Sequence, residues 1–304
     1  MNLSKEKISK IIFNIPAKLK YILEVISGRH KNLNRQIFLS PYGLGDTFIL
    51  CLLSDEWEKN HNKKIHFYIK PSHEFILKGF PGKEYSIVKI ETYPLYVLAL
   101  INPWNKINSN HVFIAHMRFH LSFRRKFKEF NLGNRNLLNL YKEFLSVNNL
   151  CEKALSNFYN YLSNSEHTDL NLSNTIFLSS NANSLKNTNN SFWIELKNQI
   201  LNHGFNILEN DEKILLHTNE SSIELNIKFE ELVKIAYKCR YIITFRSGIS
   251  DVLQNCNKKL FVIYPDQLSF KQYSLKALYE NHLVNELILE DSKTTLTKIL
   301  TNIK

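Results

Sequence analysis

Four stretches carry residues whose type and spacing suit chemistry. The first is Gly43-Leu44-Gly45-Asp46. Glycines after an apolar run let a ligand approach the backbone, and a helix starting there offers free N–H groups to an anion. A full dinucleotide fingerprint is absent, because Phe48 stands where a third glycine is needed, and no Walker Lys-Ser/Thr follows. Asp46 itself reads as an N-cap for the helix that begins there. The second stretch is Arg246-Ser247-Gly248-Ile249-Ser250-Asp251. A guanidinium and backbone N–H groups at a strand-to-helix turn make a diphosphate cradle. The plainer reading is an ordinary turn capped by Ser250 or Asp251. The cradle is preferred, because an arginine at a strand's carboxyl end has few structural reasons to be there.

The third stretch is the polar loop from Ser180 to Lys186, which leads into Phe192-Trp193. Lys186 suits a phosphate or sugar contact, or is a solvated loop lysine. The fourth is His116, Arg118 and His120, suited to substrate contact or proton transfer. Arg124, Arg125, Lys126 and Lys128 follow closely. They add positive charge to the substrate side or form a solvated face.

The elements that must position these residues alternate. Apolar runs at 36–40, 64–70, 85–90 and 111–116 read as strands, with helices at 48–57, 75–79 and 136–147. Residues 163–174 are polar and read as a linker. The pattern then restarts, with strands at 175–180, 205–209, 241–245 and 259–264. Helices are expected at 191–203, 229–238, 251–256 and 293–304, and Gly204 is the stop of the first. Strand–helix alternation on both sides of a polar break predicts two α/β units with parallel sheets, 1–165 and 166–304. In such folds ligands bind beyond the carboxyl ends of the strands, where all four stretches fall.

The 304 residues carry a formal charge of +11, 44% hydrophobic residues, and few glycines (8) and prolines (7). That composition excludes global disorder and disfavours a many-turned β-sandwich. Positive charge suits a phosphorylated substrate or an anionic surface. No nucleic-acid motif or long basic arm is present, so no nucleic-acid partner is expected. Cys51, Cys151, Cys239 and Cys256 form no metal-ligand spacing and read as small buried hydrophobes in a reducing compartment. No apolar run is long enough to span a bilayer and no secretory leader is evident, so a cytoplasmic location is expected. Residues 5–27 place Ile8, Ile11, Ile12 and Ile15 on one helical face against Lys5, Lys7, Lys10, Lys18 and Lys20. That segment either lies on an anionic membrane, at the inner face of the plasma membrane, or packs on the body of the protein.

Together the motifs resemble the bacterial heptosyltransferase-like glycosyltransferases of the GT-B fold, of the lipopolysaccharide and capsule type. Ile37-Phe38-Leu39-Ser40-Pro41-Tyr42-Gly43-Leu44-Gly45-Asp46 is similar to the family's opening strand and Gly-Asp turn. Thr175–Ser180 with Lys186 and Trp193 is similar to the start of its second domain, and Ile242–Ser250 to its late Ser/Thr-Gly turn. The sequence departs from the family at Arg246, where Asp or Asn is usual, and at Asp251, where a His is usual.

The resemblance implies two Rossmann-like domains facing a cleft and an inverting transfer of a sugar from a nucleotide-sugar donor to a saccharide or lipid-linked saccharide acceptor. In that frame Asp46 is the general base, and Gly43, Gly45, His116 and Arg118 lie on the acceptor side. Lys186, Arg246, Ser247, Gly248, Ser250 and Asp251 hold the donor. No D-x-D motif occurs, so neither metal nor cofactor is expected. The alternatives are a non-catalytic sugar- or polyanion-binding protein of the same fold, and another nucleotide-dependent enzyme such as an epimerase or phosphotransferase.

Overall fold

A computed structural model describes residues 35–40, 43–87, 113–117, 120–164, 172–180, 190–210, 213–255, 259–279, 283–289 and 291–303. The basic segment 5–27, Arg118 and Lys186 lie outside these described residues.

Strand β1 (Arg35–Leu39) is buried from Gln36 onward, as a parallel strand covered on both faces must be. The chain turns at Gly43 into α1 (Leu44–His61), in which every residue from Thr47 to Ser54 is buried. A helix apolar all round needs protein on every side. β2 (Lys64–Ile69), α2 (Glu74–Gly79), β3 (Glu84–Ile87) and β4 (Phe113–Ile114) complete the first sheet, ordered β3-β2-β1-β4 and parallel throughout. Helices α3 (Arg124–Asn131), α4 (Leu137–Leu145) and α5 (Glu152–Ser163) follow.

The second half contains β5 (Thr175–Ser179), α6 (Asn190–Asn202), β6 (Asn206–Asn210), β7 (Ile214–His217), β8 (Ser222–Glu224), α7 (Phe229–Lys238), β9 (Tyr241–Phe245), α8 (Gly248–Leu253), β10 (Lys259–Tyr264), α9 (Gln267–Tyr273), α10 (Leu275–Tyr279), β11 (Val284–Ile288) and α11 (Ser292–Asn302). Its sheet runs β11-β10-β9-β5-β6-β7-β8. It is parallel from β11 to β6, and β7 and β8 close one edge antiparallel. Two parallel α/β units are therefore present, as the alternation predicts. Gly204 ends α6 with φ +81°, a left-handed stop that suits glycine.

Several elements escape the sequence reading. Helix α8 starts at Gly248 rather than 251, because Ser247 takes the N-cap position. Helix α5 occupies a stretch with no assigned element, although Ala154, Phe158 and Leu162 repeat every four residues and are all buried. The β7–β8 hairpin is masked by its polarity: every residue of β8 is exposed.

Helix α5 ties the halves together. Phe158 meets Phe48 of α1 at 5.1 Å and Phe80 at 5.2 Å between ring centroids, and Tyr159 stacks on Tyr237 of α7 at 5.9 Å. One continuous buried cluster runs from Phe38 through α1 and α5 to Val262 and Tyr264 of β10. A second cluster, including Ile176, Trp193, Phe245 and Ile299, fills the other face of the large sheet beneath α6 and α11. Cys51 and Cys239 are buried thiols within the first cluster. Among the described residues, no helix is long and apolar enough to cross a membrane.

A core shared by both halves should melt as one unit. Calorimetry is expected to give a single transition. Phe158→Ala should lower stability by about 3–5 kcal/mol without splitting it. Two resolved transitions in the unaltered protein would contradict the shared core.

Candidate functional site

The carboxyl ends of β1, β2 and β4 meet the N-termini of α1 and α8. Gly43, not Asp46, occupies the N-cap position of α1. Asp46 sits one turn inside, where its Oδ2 accepts the Gly43 N–H at 3.0 Å. Its Oδ1 accepts the hydroxyl of Tyr141, from α4, at 2.7 Å. His116 Nε2 stands 4.0 Å from the same oxygen, and the Asp46 side chain remains 20% exposed. Two donors thus fix a carboxylate that solvent and ligand still reach.

Two basic groups at the end of β2 face this carboxylate, and neither is singled out by sequence. Burial and the Lys70 ammonium push the His73 imidazole down to about 4, against the pull of Asp46. His73 Nδ1 is bonded to Thr47 Oγ1 at 2.7 Å, and Thr47 in turn to Ser40 Oγ at 2.7 Å. Burial likewise lowers Lys70, with Asp46 opposing. The signal available in the sequence was position: Lys70 follows β2 as Ser40 follows β1, and parallel neighbours bring such ends together. Tyr141 left no local signal, being 95 residues from Asp46. His120 is buried, with its ring 4.7 Å from that of Phe144, so it belongs to the core.

On the other side, the structure departs from the diphosphate cradle expected at Arg246. The Arg246 guanidinium is 3% exposed. It donates to Asp251 Oδ2 and Oδ1, both at 2.8 Å, to Ser247 O at 2.7 Å and to Tyr273 O at 2.8 Å. Burial works against its charge, but the Asp251 carboxylate holds the guanidinium above its ordinary range. Ser250 is also turned inward, with Oγ 2.9 Å from Thr244 Oγ1. Arg246, Ser250 and Asp251 therefore build the turn and present no side chain to a donor. Of the described donor-side residues, only Gly248 is partly exposed; Ser247 is buried, and its hydroxyl has no hydrogen-bond partner among the described residues.

The two sides touch at their glycines. A Cβ on Gly45 would lie 2.2 Å from Asp251 Oδ2, and one on Gly248 would lie 2.6 Å from the Gly45 nitrogen. Tyr273 closes the gap alongside. Burial and the nearby Asp46 carboxylate raise its phenol, while the Arg246 guanidinium sits 5.7 Å from its ring centroid.

This arrangement of one parallel and one largely parallel sheet recurs in solved structures. E. coli ADP-heptose lipopolysaccharide heptosyltransferase II superposes with a TM-score of 0.52 at 13% identity, over 88% of this chain and 98% of that one. The chain has the GT-B fold of the heptosyltransferase-like glycosyltransferases. A glycosyl transferase family 9 protein from Veillonella parvula gives 0.50 at 16% identity, covering 90% of this chain and 92% of that one. TibC, an iron-containing dodecameric glycosyltransferase of enterotoxigenic E. coli, gives 0.50 at 9% identity over 76% of this chain. This chain spans 58% of the length of TibC. No protein-family model and no curated protein matches by sequence.

The GT-B turn at Arg246 makes a sharp prediction. Removing one partner of a buried ion pair strands the other charge, so Arg246→Met or Asp251→Leu alone should cost about 3–5 kcal/mol. The double variant should recover most of that loss in denaturant titrations, because no charge is left unpaired. Equal losses in all three would contradict a structural pair.

His73 makes a second. Its pKa falls from 6.5 unfolded to about 4 folded. The unfolded chain binds the extra proton, so this contribution to stability is whole above pH 6.5 and is lost as pH falls toward 4. The loss amounts to about 3 kcal/mol. His73→Gln should flatten the decline of unfolding free energy over that window, and an unchanged slope would refute the assignment.

Proposed function

We propose that the protein is an inverting glycosyltransferase. It moves a sugar from a nucleotide-sugar donor to a saccharide or lipid-linked saccharide acceptor in bacterial surface polysaccharide synthesis. The observation that carries this reading is the Asp46 carboxylate, fixed by Tyr141 and the Gly43 N–H and still accessible beside His116. A general base must be oriented before the acceptor arrives and must keep a free lone pair for the proton. Asp46 meets both conditions, since each oxygen accepts one bond and has room for a second.

In this mechanism Asp46 takes the proton from an acceptor hydroxyl as the oxygen attacks the anomeric carbon. The nucleoside diphosphate leaves from the opposite face, so the configuration inverts. Backbone N–H groups of the 247–251 turn, with Lys186, offset charge on the leaving diphosphate. Arg246 contributes by holding that turn in shape through Asp251. Lys70 sets a positive charge facing Asp46 on the acceptor side. Cations and helix termini take the place of a divalent ion, in keeping with the missing D-x-D motif. The similarity to an E. coli ADP-heptose heptosyltransferase makes ADP-heptose the first donor to test.

Asp46→Asn keeps the shape and removes the base, so it should cut transfer by roughly 10²–10⁴-fold with little change in melting temperature. Tyr141→Phe should slow transfer less. ADP, UDP, GDP or CMP should raise the melting temperature of the unaltered protein. Full transfer by Asp46→Asn would overturn the assigned base. Stabilisation by NAD alone would overturn the nucleotide-sugar reading.

A further inference from the structure

The basic helix α3 has a face that the site does not use. Within Arg124-Arg125-Lys126-Phe127-Lys128, Lys126 pairs with Glu143. Arg125 lies 3.5 Å from Glu129 while its side chain stays 92% exposed. Arg124 and Lys128 are exposed and pair with no acid among the described residues. Positions 124, 128 and 132 are four apart and so share one stripe. Leu132, at the C-cap, is 63% exposed.

The stripe continues onto the other half of the molecule. The chain turns at Gly133 with φ +77°, and the side chain of Leu268 lies against that turn. A Cβ built on Gly133 would be 2.8 Å from Leu268 Cδ1 and 3.6 Å from Lys271 Cβ. Leu268 is 45% exposed. Lys271 is exposed and has no acidic partner among the described residues. Two outward leucines are thus flanked by three cations, drawn from α3 and α9, with no acidic partner among the described residues.

We propose that Arg124, Lys128, Leu132, Leu268 and Lys271 form a docking face for an anionic bilayer. Exposed leucines favour the acyl boundary of a membrane, and lysine and arginine beside them meet anionic headgroups. The chain's net charge of +11 draws it to the same surface. Nucleic acid fits less well, because both outward apolar side chains are aliphatic and offer no ring for a base to stack on. The face adjoins the Asp46 site: Phe127 of the same helix stands edge-on to His116 at 6.0 Å. The docking face stands whether or not the transferase reading holds.

The test is flotation of the full chain with vesicles of phosphatidylcholine alone and of phosphatidylcholine mixed with phosphatidylglycerol. Binding should require the anionic lipid. Arg124→Glu/Lys128→Glu/Lys271→Glu should weaken it by roughly a hundredfold or more. Lys59→Glu/Lys153→Glu/Lys298→Glu carries the same change in net charge on other surfaces and should weaken it far less. Leu132→Ser/Leu268→Ser, which keeps every charge, should weaken it by roughly tenfold. Melting curves of these surface variants check that each is folded. Equal losses in the two charge-reversed proteins would overturn the proposal, as would undiminished binding by the patch variant. Loss on charge reversal with none on leucine removal, together with equal affinity for a soluble RNA, would assign the face to a polyanion instead.

Discussion

Gly45 and Gly248 stand so close that neither has room for a Cβ, and each is in the first turn of its helix. Two helix N-termini brought together would set two partial positive charges against each other. Each helix answers with a carboxylate in its own first turn: Asp46 in α1 and Asp251 in α8. Asp251 is fully enclosed and needs Arg246 to balance it, whereas Asp46 faces an opening and is steadied by neutral donors. The same electrostatic problem thus has a sealed solution on one side of the contact and an open one on the other. The open one leaves a carboxylate that solvent reaches.

The departure at Arg246 from the family pattern acquires a physical meaning from this contact. Arg246 and Asp251 are the two positions at which the sequence departs from the pattern it resembles, and they pair with each other. Tyr279 adds a hydroxyl 3.3 Å from Asp251, and Tyr273 supplies both a carbonyl and a ring to the guanidinium. The turn therefore shows no cationic side chain at its surface, since Arg246 is turned inward on Asp251.

The sequence made the buried strands legible because β1, β5, β9 and β10 are short apolar runs closed by polar or small residues. Asp46 was legible for a related reason: a Gly-Asp turn after such a strand points to the ligand edge of the fold. Partners that came from far along the chain were not legible. Tyr141 reaches Asp46 from another helix, and nothing near either residue announces it. The Arg246–Asp251 pair spans only five residues, yet an arginine after a strand suits a ligand and an acid of the same turn alike, so residue type and spacing do not choose between them. Helix α5 was hidden by its polar neighbours, and the strand β11 by having only Val284 fully buried.

The hairpin that closes the large sheet has a consequence for how the molecule keeps to itself. A parallel sheet ending at β6 would present a row of unpaired amide and carbonyl groups, an invitation to another strand. Instead β7 and β8 turn the direction of the last pairings, and the outermost strand is three residues long. Glu224 at its end is bonded to Lys213, so a strand added there would have to bury a solvated ion pair for very few backbone bonds. The edge discourages chain-to-chain stacking, and a protein rich in aliphatic and aromatic residues stays clear of the first step toward fibrils.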